Sequence, residues 1–277
     1  MLFKAAGYST KGAVKPSNQD SFLIKVANTS LGDVALVVVA DGMGGLSKGE
    51  LASAQVIRAM DQWFEKKLPG YLEAMGSSVS GLERLVEAQW NGLVQELNIS
   101  ILQHGKRNRL NLGTTFTAML CVGSRYSIAH VGDSRVYQIT ESKATQLTED
   151  QTLVQRELSA GRITEEEALV HPQRNVLLQC VGASREVVPQ VISGNLNKDA
   201  TYLLCSDGFR HELTEEELSE KFAPATLEGL WSSNSEDALR YEGVEARIRE
   251  CVEQLETRGE KDNITAVVLS LKEGEGC

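Results

Sequence analysis

Five aspartates stand where an apolar run meets a turn. Asp20 ends SNQD, just before SFLIKV. Asp41 follows LVVVA, Asp133 follows IAHVG, Asp207 follows YLLCS, and Asp262 sits in GEKDN ahead of ITAVVL. Alone, such an aspartate is a turn former, because its carboxylate accepts hydrogen bonds from nearby backbone amides. Strand ends of one sheet system, however, can converge at one edge. Carboxylates brought together there repel unless a cation lies between them. Oxygen donors of this kind suit Mg2+ or Mn2+, which are hard ions. The chain has four histidines and no HxxxH pattern, so a zinc site of that type has no support.

The stretch ALVVVADGMGG, Ala35 to Gly45, could be a metal corner, a nucleotide loop or an ordinary turn. Gly42-x-Gly44-x-x-Ser47 nearly matches a dinucleotide fingerprint but lacks the last glycine. Asp41 would also aim a negative charge at a pyrophosphate, and the helical pattern that follows leaves no strand for the ribose-binding acid. Lys48 follows Ser47 where a P-loop requires glycine. Ser134 and Ser206 neighbour two of the aspartates, yet no histidine accompanies them in a nucleophile arrangement, and both read as turn or supporting groups.

The elements that must position these acids follow from periodicity. Phe3 to Ser9, Ser21 to Val26 and Val34 to Ala40 are strand-like, and the unbroken apolar character of the third predicts a strand covered on both faces. Lys48 to Lys67 and Leu82 to His104 carry apolar residues at helical spacing, separated by the loop GSSVSG, Gly76 to Gly81. Thr114 to Val122, Tyr126 to Val131 and the run from Arg135 are joined by short turns, which predicts a three-strand antiparallel meander. Thr164 with Glu167 and Thr214 with Glu217 are capping boxes. Strands are expected at Val187–Ile192 and Thr201–Cys205, a helix over roughly 238–257, and a last strand at NITAVVLSL. Helices grouped rather than alternating with single strands predict an α+β fold with antiparallel sheets, in one domain.

Composition narrows the function classes. The 277 residues are 42% hydrophobic and 24% charged, with net charge −10. No cluster of Lys and Arg offers a nucleic-acid surface, and GKRNR, Gly105 to Arg109, reads as a solvated connection. The five cysteines show no CxxC spacing, which fits a reducing, cytoplasmic setting rather than a disulfide framework. No apolar run is long enough for a membrane span, the N-terminus lacks a secretory apolar region, and nothing calls for more than a monomer.

VKPSNQD, VVVADGMGG, GTTFTAML, HVGDSRVYQI, LCSDGF and KDNITAVVL together resemble, in order and spacing, the type 2C metal-dependent serine/threonine protein phosphatases, in particular their compact bacterial branch. The resemblance runs from about Tyr8 to Leu271. It implies a sandwich of two antiparallel β-sheets flanked by α-helical layers, with a two-metal site at one end. By motif position, Asp20, Asp41, Asp207 and Asp262 are the implied metal carboxylates, Gly42 lends its carbonyl, Asp133 helps hold a third, weaker metal, and Asn263 supports the site. The implied reaction is direct hydrolysis of phosphoserine and phosphothreonine by water activated between two Mg2+ or Mn2+ ions about 4 Å apart. The implied partners are phosphorylated proteins and a cognate Ser/Thr kinase.

The chain departs from the family pattern twice. Lys15 stands where many members carry a phosphate-binding arginine, and a lysine cannot make the planar two-point contact of a guanidinium. Met43 stands where some eukaryotic relatives place a histidine proposed to protonate the leaving oxygen. Asp150 to Gly182 falls where the family places a variable flap; within it Arg174 is a candidate substrate contact, and Arg210 and His211 are candidates to line the cleft. A rival reading is a non-catalytic phosphoprotein-binding module on the same fold. Lys15 favours it; the presence of all four core carboxylates opposes it.

Overall fold

The computed structural model describes residues 2–29, 32–43, 48–75, 81–232 and 241–272. Strands β1 (Leu2–Thr10), β2 (Ser21–Thr29) and β3 (Gly32–Ala40) come first, followed by the two-residue β4 (Gly42–Met43). Helices α1 (Gly49–Lys66), α2 (Leu68–Met75) and α3 (Leu82–Asn108) precede β5 (Gly113–Thr114), β6 (Phe116–Val122), β7 (Arg125–Val131), β8 (Arg135–Ile139) and β9 (Ala144–Gln146). Then come α4 (Leu153–Ser159), α5 (Glu165–Leu169), β10 (Gln190–Asn195), β11 (Thr201–Cys205), α6 (Asp207–Arg210), α7 (Glu215–Phe222), α8 (Pro224–Leu227), a 3-10 turn at Glu228–Trp231, α9 (Glu242–Arg258) and β12 (Ile264–Lys272). The first residues of the helix expected over 238–257 and most of the GSSVSG loop lie outside the described residues.

Two five-stranded antiparallel sheets form, in the orders β1-β12-β11-β8-β9 and β10-β7-β6-β3-β2, with β4 and β5 as a separate ribbon. The alternation along β3 shows why its run is wholly apolar. Ala35, Val37 and Val39 point between the sheets, against Met119, Ile128, Tyr202, Leu204 and Val267. Val34, Leu36, Val38 and Ala40 point outward, under Val56, Met60, Trp63, Trp90 and Ile101 of the helical layer. Trp90 anchors that layer, edge-to-face with Trp63 at 5.4 Å and Phe116 at 6.2 Å. The opposite layer packs Phe209, Phe222, Val244, Ile248 and Leu255 on Leu203, Ala266 and Val268. The expected α-β-β-α sandwich is therefore present, and both capping boxes form, each with two backbone-to-side-chain bonds.

The expected meander is corrected. β6 and β7 form a hairpin, but β8 leaves it and pairs with β11 and β9 in the other sheet. The turn at Gly132–Ser134 is a corner between sheets, and Gly132 adopts φ 111°, which a side-chain-bearing residue rarely does. The edge of β7 that β8 vacates is taken by β10. The run expected to begin at Thr114 also divides: Gly113–Thr114 pairs with Gly42–Met43, and Thr115 turns the chain into β6. The strand expected at Val187 starts at Gln190 instead and runs on to Asn195.

His130, buried on β7 with Nδ1 2.9 Å from Thr117 Oγ1, is pushed down by burial to about 4. A base held neutral this way contributes stability that is complete above its unfolded value near 6.5 and is lost as pH falls toward 4. Urea unfolding at pH 7 and pH 4 should show a wild-type loss about 3 kcal/mol larger than that of His130→Gln. Equal losses would show that this imidazole titrates as it does in water.

Candidate metal centre

All five aspartates named from sequence lie at one end of the sandwich and feel one another. Burial first, and then the charges of Asp20, Asp207, Asp133 and Asp262, hold the Asp41 carboxyl well above the ordinary carboxylate range. Burial, with Asp207 and Asp262 adding repulsion, pushes Asp20 up to about 7, although hydrogen bonds from Thr265 and Ser206 oppose it. Asp133 rises to about 7 by burial and the charge of Asp207, against the opposing charge of Arg210.

Each acid is set by its element's end. Asp41 ends β3; its amide donates to Thr115 Oγ1 (2.9 Å) and its carbonyl accepts from Thr115 N (2.8 Å). Thr115 Oγ1 also shares a hydrogen bond with Ser134 Oγ at 2.8 Å, which links the Asp41 corner to the Asp133 corner. Asp20 precedes β2, and its Oδ2 accepts from Thr265 Oγ1 on β12 at 2.7 Å. Asp207 opens α6 directly after β11, and Asp262 precedes β12. Asn263 sits beside Asp262, just ahead of β12. Its Nδ2 donates to the carbonyls of Lys11 and Ser17, both at 3.0 Å, and its Oδ1 accepts from Gln19 N at 2.9 Å, which staples the loop that carries Asp20.

Gly42 lies against the backbone on two sides. A Cβ there would stand 2.3 Å from Gln19 O and 2.5 Å from Gly49 O. Gly44 and Gly45, expected to ease the turn, lie outside the described residues.

Lys15 lies at the mouth of the acid cluster, with Nζ 2.7 Å from Asp262 Oδ1. Burial lowers its pKa, but the Asp262 bond and the charges of Asp262, Asp207 and Asp41 win, so it is raised. Arg174 is exposed on the flap, in the loop after α5, and the pKa of His211 is lowered chiefly by burial. His211 Nδ1 lies 3.8 Å from Glu260 Oε2, and Glu260 Oε1 accepts from the amides of Lys261 and Asp262.

The donor set fits hard divalent ions. Asp20 Oδ1 is a buried carboxylate oxygen with no hydrogen-bond partner, and such an atom is costly unless a cation or donor meets it. As the side chains stand, no three Asp, Glu, His or Cys among the described residues converge on one point. Lys15 pairs with Asp262, and Thr265 takes one oxygen of Asp20.

Sequence reasoning passed over Thr115 and Thr265, which fix Asp41 and Asp20, and over Asp150, which binds Arg135 Nε at 2.7 Å and Arg135 Nη2 at 2.8 Å. Thr115 and Arg135 lie inside recognised motifs; nothing local marks Asp150.

The family model for protein phosphatase 2C matches residues 10–253. The chain belongs to the protein phosphatase 2C family. It is 31% identical over 271 residues to the serine/threonine protein phosphatase PstP of Mycobacterium tuberculosis, covering 98% of this chain and 45% of that protein. It therefore spans about half the length of that relative, 45%. The serine/threonine phosphatase stp of Listeria monocytogenes is 35% identical over 188 residues, 67% of this chain and 70% of its own. Among solved structures, M. tuberculosis PstP/Ppp is 31% identical and superposes with TM-score 0.74, covering 99% of this chain and all (100%) of that one. A PstP catalytic domain in complex with two manganese ions is 28% identical, with TM-score 0.71 and coverage of 98% and 99%. These protein phosphatase 2C structures share the α+β sandwich described above.

Proposed function

We propose that this chain is a divalent-metal-dependent phosphatase that hydrolyses phosphoserine and phosphothreonine in proteins, reversing a Ser/Thr kinase in the cytoplasm. The observation that carries the reading is the partly exposed Asp41 carboxylate ringed by the charges of Asp20, Asp207, Asp133 and Asp262, beside an unpartnered Asp20 oxygen. Family membership and the two manganese ions of the related PstP domain support it.

Asp41, the Gly42 carbonyl, Asp207, Asp262 and Asp20 would hold two Mg2+ or Mn2+ ions, and Asp133 a third. Bound there, the ions supply Lewis-acid polarisation of phosphoryl oxygens and acidify water. The chain's own groups do the rest. Thr265 holds one oxygen of Asp20 and leaves the other free. Lys15, with 40% of its side chain exposed, offers a point charge to a phosphate oxygen once Asp262 serves an ion. Arg174 on the flap offers a second cationic contact to the substrate. Met43 has no acidic proton to give, so the leaving oxygen would take one from water. Among the described residues no thiolate competes as nucleophile: burial pushes Cys205 up to about 12 and Cys251 to about 11, and Cys121 and Cys180 upward as well.

The test is hydrolysis of a chromogenic phosphate ester and a phosphothreonine peptide with Mn2+, Mg2+ or chelator. Chelation should remove activity and added Mn2+ restore it, and Asp207→Asn should lose about 100-fold or more in kcat/KM. Activity that survives chelation overturns the mechanism. Peptide binding in Mn2+ without hydrolysis assigns the chain to the binding-module class.

A further inference from the structure

Three side chains outside the acid cluster form a buried ionic group behind it. Asp150, at the start of the flap, is gripped by Arg135 through Nε at 2.7 Å and Nη2 at 2.8 Å. Its Oδ2 also accepts from Arg210 Nη2 at 3.1 Å. That same Arg210 nitrogen lies 3.3 Å from the Asp133 carbonyl. Asp150 and Arg210 side chains are only 8% and 11% exposed. Arg210 closes the helical turn that Asp207 opens, while Arg135 follows the Asp133–Ser134 corner into β8. The corner is held from its other side by Gln151, whose N donates to Gly132 O at 2.7 Å and whose Oε1 accepts from Gly132 N at 2.9 Å.

We infer that Arg210 is a positioning residue: its guanidinium ties the turn that carries Asp207 to the Asp133 corner and to the flap base at Asp150, and so sets how the two aspartates face one another. The inference rests on the metal-dependent reading above. The physical reason is reach. Both contacts come from one nitrogen, Nη2, 3.1 Å from Asp150 Oδ2 and 3.3 Å from the Asp133 carbonyl, so a single charged group joins acceptors on two separate chain segments, which a neutral apolar side chain cannot do. Asp207 follows β11, whereas Asp133 lies in the corner between β7 and β8, and no backbone hydrogen bond joins the two. Groups that orient ligands in this way typically govern metal affinity by 10- to 100-fold, roughly, when removed.

Arg210→Met and Arg210→Lys test the inference; in both, Arg135 remains to neutralise Asp150. The readouts are Mn2+ titration calorimetry on metal-free protein, the Mn2+ concentration for half-maximal hydrolysis, the split of kcat from KM on a chromogenic ester, and metal-free Tm. Arg210→Met should weaken the lowest-affinity Mn2+ site by about tenfold and shift the half-maximal Mn2+ concentration with it, with KM unchanged. Arg210→Lys should recover part of the affinity, since it retains the charge and one contact. A lowered Tm with wild-type Mn2+ affinity would make Arg210 a stabilising residue only and overturns the inference. Should Arg210→Met not fold, Arg210→Lys decides: a Mn2+ dissociation constant raised about threefold or more supports positioning, and an unchanged one overturns it. If wild type neither binds Mn2+ nor hydrolyses the ester, the functional reading itself fails. Active wild type beside unaltered Arg210 variants overturns the positioning role alone.

Discussion

Asp41→Asn is expected to abolish hydrolysis while making the metal-free protein more stable. Asp41 lies among four other acids that, after burial, raise its pKa well above the ordinary carboxylate range, and Asp20 and Asp133 are each pushed up to about 7. A carboxyl whose folded pKa is raised contributes its full stability below the unfolded value near 4, and that stability is lost as pH rises through 7. The metal-free protein should therefore weaken between pH 5 and pH 8 through this cluster, and Mn2+ should restore it over the same interval. The amide removes one charge without changing shape. A gain of about 2 kcal/mol at pH 8, near 5 °C in Tm, is expected in chelator, with the Mn2+-dependent rise in Tm largely gone. On the proposed function, in which Asp41 would hold the ions, its loss should lower kcat/KM by about 1,000-fold. Thermal scans with and without Mn2+ at both pH values check the first part, and steady-state hydrolysis checks the second. A wild-type Tm indifferent to Mn2+ at pH 8 would contradict the account.

Gly42→Ala should be strongly damaging. The new Cβ would meet Gln19 O at 2.3 Å and Gly49 O at 2.5 Å, both backbone atoms that no side-chain rotation can move. Relief requires the loop before Asp20 or the start of α1 to shift. The expected cost is about 2–3 kcal/mol in urea unfolding. Displacing the Asp20 loop relative to Asp41 by about 1 Å should also reduce kcat/KM by about 100-fold. Gly70→Ala is the control. Gly70 lies within α2 with open space where a Cβ would stand, and the same substitution there should stabilise by about 0.5–1 kcal/mol. Matching stabilities for the two variants would show that the Gly42 contacts are not tight.

Much of the architecture was legible because its signals are local. The two-faced apolar run of β3, the helical stripe through Val56, Met60 and Trp63, and the Thr164 and Thr214 capping boxes depend on residues a few positions apart. The meander failed for the complementary reason. A short turn after a strand reads alike whether the next strand pairs with its neighbour or crosses to the facing sheet, and β8 crosses because β11 and β9 offer it both edges.

The sequence by itself determined which acids stand at strand ends, the five aspartates and their turn settings, and the ordered motifs that carry the family. It also marked the substitutions at Lys15 and Met43. Only the tertiary structure decided how those acids are held. Thr115 joins the Asp41 and Asp133 corners, Thr265 leaves Asp20 one free oxygen, and Asp150 draws Arg135 and Arg210 together behind the site. Such contacts join residues up to 245 positions apart, between side chains whose types are ordinary at any surface. Their geometry exists only once two sheets have packed and brought the strand ends to a common edge.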